Sequence, residues 1–320
     1  MPLVSPNALY RCAARDGYAL GAFNVNSMES LQAVLEAAEA QDAPLIVQLS
    51  MGARGYLGSN WPLFVETMKR YAQACGAPVF LQHDHCPTPE ACFEAIEAGV
   101  QAVMFDGSHL PFEENVACTR RVVEYAHARN VWVEAELGRL PGFEDMVFAE
   151  NAESTDPAAA CRFVQATGCD ALAVAVGTSH GGVQAPDDLP LDKALLARLH
   201  EALGELPLVL HGGASLPPAL VAACNAQGAQ VEPLRNCGEQ SISDAVALGV
   251  RKVNMDVDNY LVFTTEVRRA LRRTPEKYDP RTYLRPAREA FRQEVEHKLC
   301  HVMHSAGMGA RAACREGAMA

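Results

Sequence analysis

A closed barrel of eight parallel strands, each followed by a helix, is the fold class this sequence predicts, and three observations predict it. Strand-like apolar runs alternate with helix-spaced runs eight times between Tyr18 and Arg273. The strand runs are continuously apolar, as in a parallel sheet covered by helical crossovers on both faces. No Gly/Ser-rich linker or low-complexity tract divides the units. The 320 residues, 49% hydrophobic, can bury one large core, and such a barrel commonly takes about 250 residues. The expected architecture is α/β, a (β/α)8 (TIM) barrel forming one domain over residues 1–320, with 274–320 as a helical C-terminal extension. A doubly wound open sheet is the alternative.

The units follow in order. Tyr18 to Asn24 reads as the first strand and Ser27 to Ala40 as its helix, with Leu31, Val34, Leu35 and Ala38 at helical spacing. Pro44 to Ser50 is the second strand, with a helix over Trp61 to Cys75. Val79 to Asp84 is the third, with a helix over Pro89 to Ala98. Strands at 101–105, 131–136, 171–176 and 207–211 alternate with helices at 112–129, 157–167, 192–203 and within 217–248. Strand 250–255 and helix 259–273 complete the series. Beyond Arg273 lie Tyr278-Asp-Pro-Arg281 and a helix over Pro286 to Met303.

A net charge of −12 argues against nucleic acid or an anionic membrane as partner. The eleven cysteines form no CxxC pair. Most fall in helix-like apolar stretches (Cys75, Cys92, Cys118, Cys161, Cys224), which suits reduced, buried thiols and a cytoplasmic setting. No charged-then-apolar leader opens the chain, and no apolar run reaches the roughly 18 residues of a membrane span.

In a barrel the loops after the strands form the active face, and polar residues accumulate there. The strand ends carry Asn24 and Asn26, Ser50, Asp84-His85, Asp106-Gly-Ser108-His109, Glu134 and Glu136, Gly177-Thr-Ser-His180, His211-Gly-Gly213 and Asn254-Met-Asp256. Closure brings His85, His180 and His211 to one rim, and three imidazoles with an open fourth position are the pattern of catalytic zinc. Asp84 stands next to His85, so an imidazole on a metal and a carboxylate that moves a proton can flank one substrate. In an extended strand His83 and His85 share a side and Asp84 faces the other, although this alternation loosens at a strand end. His83, His109, His127 and His200 are read as structural. Gly181-Gly182 and Gly212-Gly213 let backbone N–H groups approach an anion closely, which points to a phosphate beside the metal.

With Asp84-His85, His180-Gly and His211-Gly-Gly in place, the chain resembles the class II, metal-dependent fructose-bisphosphate aldolases and their tagatose-bisphosphate relatives. The resemblance runs from Val4 to about Ala306. It rests on Gly21-Ala-Phe-Asn-Val-Asn26, Gln82-His-Asp-His85, Val103-Met-Phe-Asp-Gly-Ser-His-Leu-Pro-Phe-Glu-Glu-Asn115, Val133-Glu-Ala-Glu-Leu-Gly138, Gly177-Thr-Ser-His-Gly181, Leu210-His-Gly-Gly213 and Lys252-Val-Asn-Met-Asp256. It implies Zn²⁺ on His85, His180 and His211, with Asp106 and Glu136 at a second or alternative metal location, and leaves room for a monovalent cation. It further implies Asp84 as the acid/base at the aldehyde-derived hydroxyl. Glu144, in Pro141-Gly-Phe-Glu-Asp145, matches the mobile-loop acid that handles the C–H proton of dihydroxyacetone phosphate. The runs Gly212-Gly213-Ala214-Ser215 and Asn254-Met255-Asp256-Val257, with Gly181, match the surroundings of that substrate's phosphate and carbonyl, and Asn24 and Ser50 lie nearby.

The implied reaction is reversible cleavage of fructose 1,6-bisphosphate to dihydroxyacetone phosphate and glyceraldehyde 3-phosphate, a step of glycolysis, gluconeogenesis and the Calvin cycle. Tyr278-Asp-Pro-Arg281 resembles a tail motif whose arginine reaches a neighbouring subunit's site for the second phosphate, which implies a homodimer or homotetramer; the planar fork of arginine suits that group. Three departures stand out: Val257 and Ala214 replace usual hydroxyl residues, and Pro141 replaces a common glycine and should stiffen the Glu144 loop. They keep tagatose 1,6-bisphosphate or another phosphorylated ketose open as the substrate. A Schiff-base mechanism would need a lysine at the catalytic end. Lys252 alone lies on a strand, and early in it. A metal-dependent barrel hydrolase would carry His-x-His at the end of the first strand, where this chain has Asn24-Val-Asn26.

Overall fold

The computed structural model describes residues 3–144, 147–149, 152–183, 187–214, 216–232 and 234–316. Its central sheet consists of β1 (Leu20–Asn24), β2 (Leu45–Leu49), β3 (Val79–Cys86), β4 (Ala102–Phe105), β5 (Trp132–Leu137), β6 (Ala171–Val174), β7 (Leu208–Leu210) and β8 (Val250–Met255). All pairings are parallel and run in sequence order. β1 pairs with β2 through Ala22↔Ile46 and with β8 through Ala22↔Asn254, so the sheet closes into a barrel and the open-sheet alternative falls away.

Local chemistry marks where helices begin. Ser27 and Ser30 form a reciprocal capping box at the helix Met28–Ala40. Thr88, Asp156 and Asp192 accept backbone N–H bonds from the first turns of Pro89–Ala98, Pro157–Thr167 and Lys193–Leu203. Outward strand residues and inward helix faces, among them Val34, Met68, Val122, Leu196 and Ile242, make one continuous buried layer.

The barrel interior divides by height. Leu20, Ala22, Ile46, Phe80 and Ala102 fill its lower end. The helix Pro6–Asp16, which the periodicity did not predict, lies against it, with Tyr10 stacked on Trp132 at 5.3 Å. Further along the barrel the interior turns polar: Gln48, Gln82 and Asp84, Glu134, and Lys252 and Asn254 are all buried, at every second position where one strand supplies two. This period of two is the inward face of each strand.

Several further elements depart from expectation. A helix Met51–Leu57 with a 3-10 turn Gly58–Asn60 follows β2, and two short antiparallel strands, Gly142–Glu144 and Val147–Ala149, follow β5. The region 217–248 contains two helices, Pro218–Asn225 and Glu239–Ala247, and the helix after β8 begins at Val257. In the C-terminal extension, the helix Arg281–His301 starts five residues before Pro286, and a second helix spans Gly309–Glu316. Pro286 lacks an N–H and so reads as a helix start in sequence, but here it lies inside the helix, where it forgoes one i→i−4 bond. This extension is integral to the fold: Phe291, Val295 and Leu299 join the main core.

Lys298 on that helix is buried, with Nζ 2.8 Å from Asp258 and 3.1 Å from Glu294, and also bonded to Glu239. Burial works against its charge, but Asp258 and the two glutamates more than offset this and raise its pKa. Lys298→Met is expected to destabilise the fold by about 3–5 kcal/mol, because Asp258 would remain buried without its cation. A denaturant melt would measure this; a change below about 1 kcal/mol would show that Asp258 finds another partner.

Candidate metal centre

The upper barrel collects side chains from four strands into one network. Asp84 on β3 accepts from Gln48 Nε2 on β2 at 3.0 Å and from Asn254 Nδ2 on β8 at 2.8 Å. Lys252 on β8 places Nζ 2.6 Å from Glu134 Oε2 and 3.8 Å from Asp84 Oδ1, and Gln82 donates to the same Glu134 oxygen at 2.9 Å. The early position of Lys252 on its strand thus does not keep it from the site: its long stem carries the head up into the network. There its ammonium is paired with the Glu134 carboxylate and lies close to that of Asp84.

Strict alternation fails where it matters most. The β3–β4 register shifts between His83 and Cys86, and His85 adopts φ +41°, a left-handed conformation rare for a non-glycine residue. Such strain costs on the order of 1–3 kcal/mol and clusters at functional sites. The kink brings Asp84 and His85 to the same centre. His83, expected to share a side with His85, instead packs edge-on against Trp61 and lies 3.2 Å from Cys86 Sγ.

His85 Nδ1 lies 3.0 Å from Asp106 Oδ2, and His211 Nε2 lies 2.8 Å from Glu134 Oε1. An imidazole donates to such carboxylates, so each ring keeps its lone pair on the other nitrogen. Those two nitrogens, His85 Nε2 and His211 Nδ1, are 2.7 Å apart. Two lone pairs facing at that distance repel, and a cation relieves the repulsion. Burial and the neighbouring His85 push the His211 pKa down, which favours the neutral, ligating form. The donor set therefore fits a divalent metal.

Among the described residues, possible ligand atoms form two groups, Asp84/His85/His211 and His85/Glu136/His180, each within 4.8 Å. The three expected imidazoles do meet, with ring centroids 4.5 Å (His85–His211), 5.2 Å (His85–His180) and 6.0 Å (His180–His211) apart. His85 is common to both groups. Glu136 sits with one of them, whereas Asp106 stands behind His85 and is held by the Ser108 N–H and hydroxyl. Burial opposes its charge, yet the His85 bond and the Ser108 donors hold its pKa well below the carboxylate range.

The glycines are where a close approach needs them. Gly212 has φ +62°, and a Cβ there would lie 2.3 Å from the Ser179 carbonyl; one on Gly213 would lie 2.2 Å from Val253. Ala214 and Met255 are buried beside this turn. Asp256 Oδ1 accepts the Val257 N–H at 2.6 Å, so the backbone donor that could stand in for the missing hydroxyl is already engaged. Ser50 caps the helix Met51–Leu57, and Asn24 is buried with Oδ1 unpartnered. The Pro141 carbonyl accepts from His180 N at 2.9 Å and Ser179 Oγ at 2.8 Å, tying the loop of Glu144 to a candidate ligand. Glu144 ends the strand Gly142–Glu144, but its side chain lies outside the described residues, as does Ser215. Arg281 is not brought to the centre; it is exposed and bonded to Asp279.

Gln48, Gln82, Glu134 and Lys252 were assigned no function from sequence. Their signal was available: polar residues two apart in otherwise apolar strands. Burial works against the Glu134 charge, but Lys252 and His211 draw its pKa from 4.5 down to about 2. The folded state thus favours the carboxylate. That contribution is full above about pH 4.5 and is lost as pH falls toward 2. Glu134→Gln is expected to flatten acid unfolding in that window and to weaken metal binding by about 10–100-fold, measured by chelator competition.

Fold and centre together define a metal-dependent (β/α)8 enzyme. A family model described as "Fructose-bisphosphate aldolase class-II" matches residues 4–308. The chain belongs to this family and is an aldolase, a carbon–carbon lyase. It is 42% identical over 299 residues to the fructose-bisphosphate aldolase of Thermus caldophilus, covering 93% of this chain and 97% of that protein. It is 38% identical over 327 residues to the fructose-bisphosphate aldolase of Treponema pallidum, covering 95% and 97%. Among solved structures it is similar to the YdjI aldolase of Escherichia coli K12, with TM-score 0.75, 27% identity and coverage of 96% and 99%. It is also similar to a putative fructose-1,6-bisphosphate aldolase from Coccidioides immitis, with TM-score 0.78, 28% identity and coverage of 96% and 98%. Among the described residues no helix is long and apolar enough to cross a membrane.

Proposed function

We propose that this aldolase cleaves fructose 1,6-bisphosphate reversibly into dihydroxyacetone phosphate and glyceraldehyde 3-phosphate, with zinc at the histidine centre. The observation that carries the reading is Asp84, buried and fixed by Gln48 and Asn254 beside His85 and His211. His85, His180 and His211 would hold the metal, with Glu136 serving an alternative location and Asp106 and Glu134 orienting the rings. When bound, the metal supplies Lewis-acid stabilisation of negative charge on substrate oxygens.

Asp84 takes the proton of the C4 hydroxyl as the C3–C4 bond breaks, and its two amide donors aim the carboxylate. Glu144 delivers the proton to C3. Backbone amides of Gly181, Gly212 and Gly213 receive one phosphate, with Asn24, Ser50, Asn254 and Asp256 around it. Arg281, exposed on its own subunit, binds the second phosphate in a neighbouring one, so the working form is a homodimer or homotetramer in the cytoplasm. The engaged Val257 N–H and the buried Ala214 favour a second reading, in which tagatose 1,6-bisphosphate or another phosphorylated ketose replaces the fructose bisphosphate.

Zinc-loaded protein should cleave fructose 1,6-bisphosphate in preference to tagatose 1,6-bisphosphate and fructose 1-phosphate, and EDTA should abolish the activity. Preference for the tagatose ester would select the second reading. No cleavage of any of the three by metal-loaded protein would reject both.

A further inference from the structure

Between the helices Pro218–Asn225 and Glu239–Ala247 the chain runs through a segment that places Asn236 under the rim of the barrel. The side chain is 2% exposed, and its amide uses its full bonding capacity. Oδ1 accepts from the Ser179 N–H at 3.1 Å and the Cys237 N–H at 3.0 Å; Nδ2 donates to the Ser179 carbonyl at 2.7 Å and the Ala214 carbonyl at 3.1 Å. Two N–H partners on one side and two carbonyls on the other admit a single orientation of the amide. Ser179 directly precedes His180, and Ala214 directly follows Gly213. One buried side chain therefore spans the loop after β6 and the loop after β7.

The surroundings reinforce this bridge. Arg235 and Val183 exchange backbone hydrogen bonds at 2.8 and 2.7 Å, and Leu189 N–H donates to the Asn236 carbonyl at 3.1 Å. The two loops also touch each other where only glycine fits, at Gly212 against the Ser179 carbonyl. A fully satisfied buried polar group specifies one arrangement, because any other leaves its donors or acceptors unpaired.

We propose that Asn236 is a positioning residue of the aldol site, locking the His180 loop to the Gly212–Gly213–Ala214 turn so that metal and phosphate are received by one rigid frame. This rests on the roles proposed above for His180 and the glycine amides. Misplacement of a binding group by about 1 Å can cost as much as 100-fold, and the four bonds of Asn236 hold these loops within that tolerance.

Asn236→Asp keeps the shape and both accepted bonds but turns a carboxylate oxygen toward the Ser179 and Ala214 carbonyls. It is expected to raise KM for the bisphosphate and the inhibition constant of inorganic phosphate by about tenfold each. It should also weaken metal binding by about tenfold in chelator competition, with kcat at saturating metal and substrate within about threefold of wild type. Arg235→Ala, which removes a neighbouring ion pair with Asp188 at 3.5 Å, should leave all four quantities unchanged. Wild-type KM, phosphate inhibition and metal affinity in Asn236→Asp would overturn the proposal, as would the same losses in Arg235→Ala.

Metal affinity is read without any sugar. Its loss in Asn236→Asp, alongside a wild-type enzyme inactive on all three esters, would reject the substrate assignment and leave Asn236 in its role. If Asn236→Asp does not accumulate, amide exchange in the wild-type holoenzyme decides. The Ser179 N–H, bonded to Asn236 across the loops, should be protected from exchange, and fast exchange there would overturn the proposal.

Discussion

Asp84→Asn should lower kcat for aldol cleavage by about 10²–10⁴-fold, the usual worth of a positioned general base, while fold and metal content stay near wild type. An amide has the shape of the carboxylate but cannot take the hydroxyl proton. The network can absorb the change. Gln48 Oε1 and Asn254 Oδ1 are buried without hydrogen-bond partners, so rotation of either amide would present an acceptor to the N–H groups that the substitution introduces. Rates of cleavage and of the reverse condensation, measured with metal content on the same sample, provide the check. A variant retaining more than about a tenth of wild-type kcat would move the base elsewhere in the site.

His85→Ala should be the most damaging of the ligand replacements. His85 alone belongs to both candidate ligand groups, so removing it leaves neither intact; His180→Ala spares Asp84/His85/His211, and His211→Ala spares His85/Glu136/His180. Charge stabilisation by a catalytic metal is worth several kcal/mol, so cleavage should fall at least about 10³-fold. Metal should be lost on desalting against a chelator under conditions where His180→Ala and His211→Ala retain part of it. Stoichiometric metal in His85→Ala, with loss in His211→Ala, would place the centre on a different donor set.

Much of this site could be read from the sequence because a barrel's geometry is so constraining. Once eight strand-then-helix units are recognised, the ends of the strands must share one rim, and His85, His180 and His211 meet there although they are far apart in the chain. Pairing of β1 with β8, which makes the ring, is a non-local event, and a doubly wound open sheet would also bury both faces of apolar strands, so closure itself was decided by the structure. Most of the helices were readable for a local reason, since apolar spacing acts within a few residues; the caps at Ser27, Thr88 and Asp156 are equally local.

What only the tertiary structure decided depends on contacts between distant segments. The direction of a side chain at the end of β3 is set by the register shift and by the left-handed His85, so the separation of His83 from His85 could not be deduced from alternation. The reach of Lys252 depends on a flexible four-carbon stem crossing the barrel to Glu134, which a position on a strand does not define. Asp106 lies behind His85 because the Ser108 donors hold it there. The fixed orientation of Asn236 comes from four backbone partners, two of them on Ser179, 57 residues away. Sequence by itself determined the strand-then-helix units and the chemical kinds of residues at the strand ends, because periodicity acts through local backbone geometry. Tertiary structure alone decided which lone pairs and protons face one another, because those choices are made by hydrogen bonds between loops that share no sequence neighbourhood.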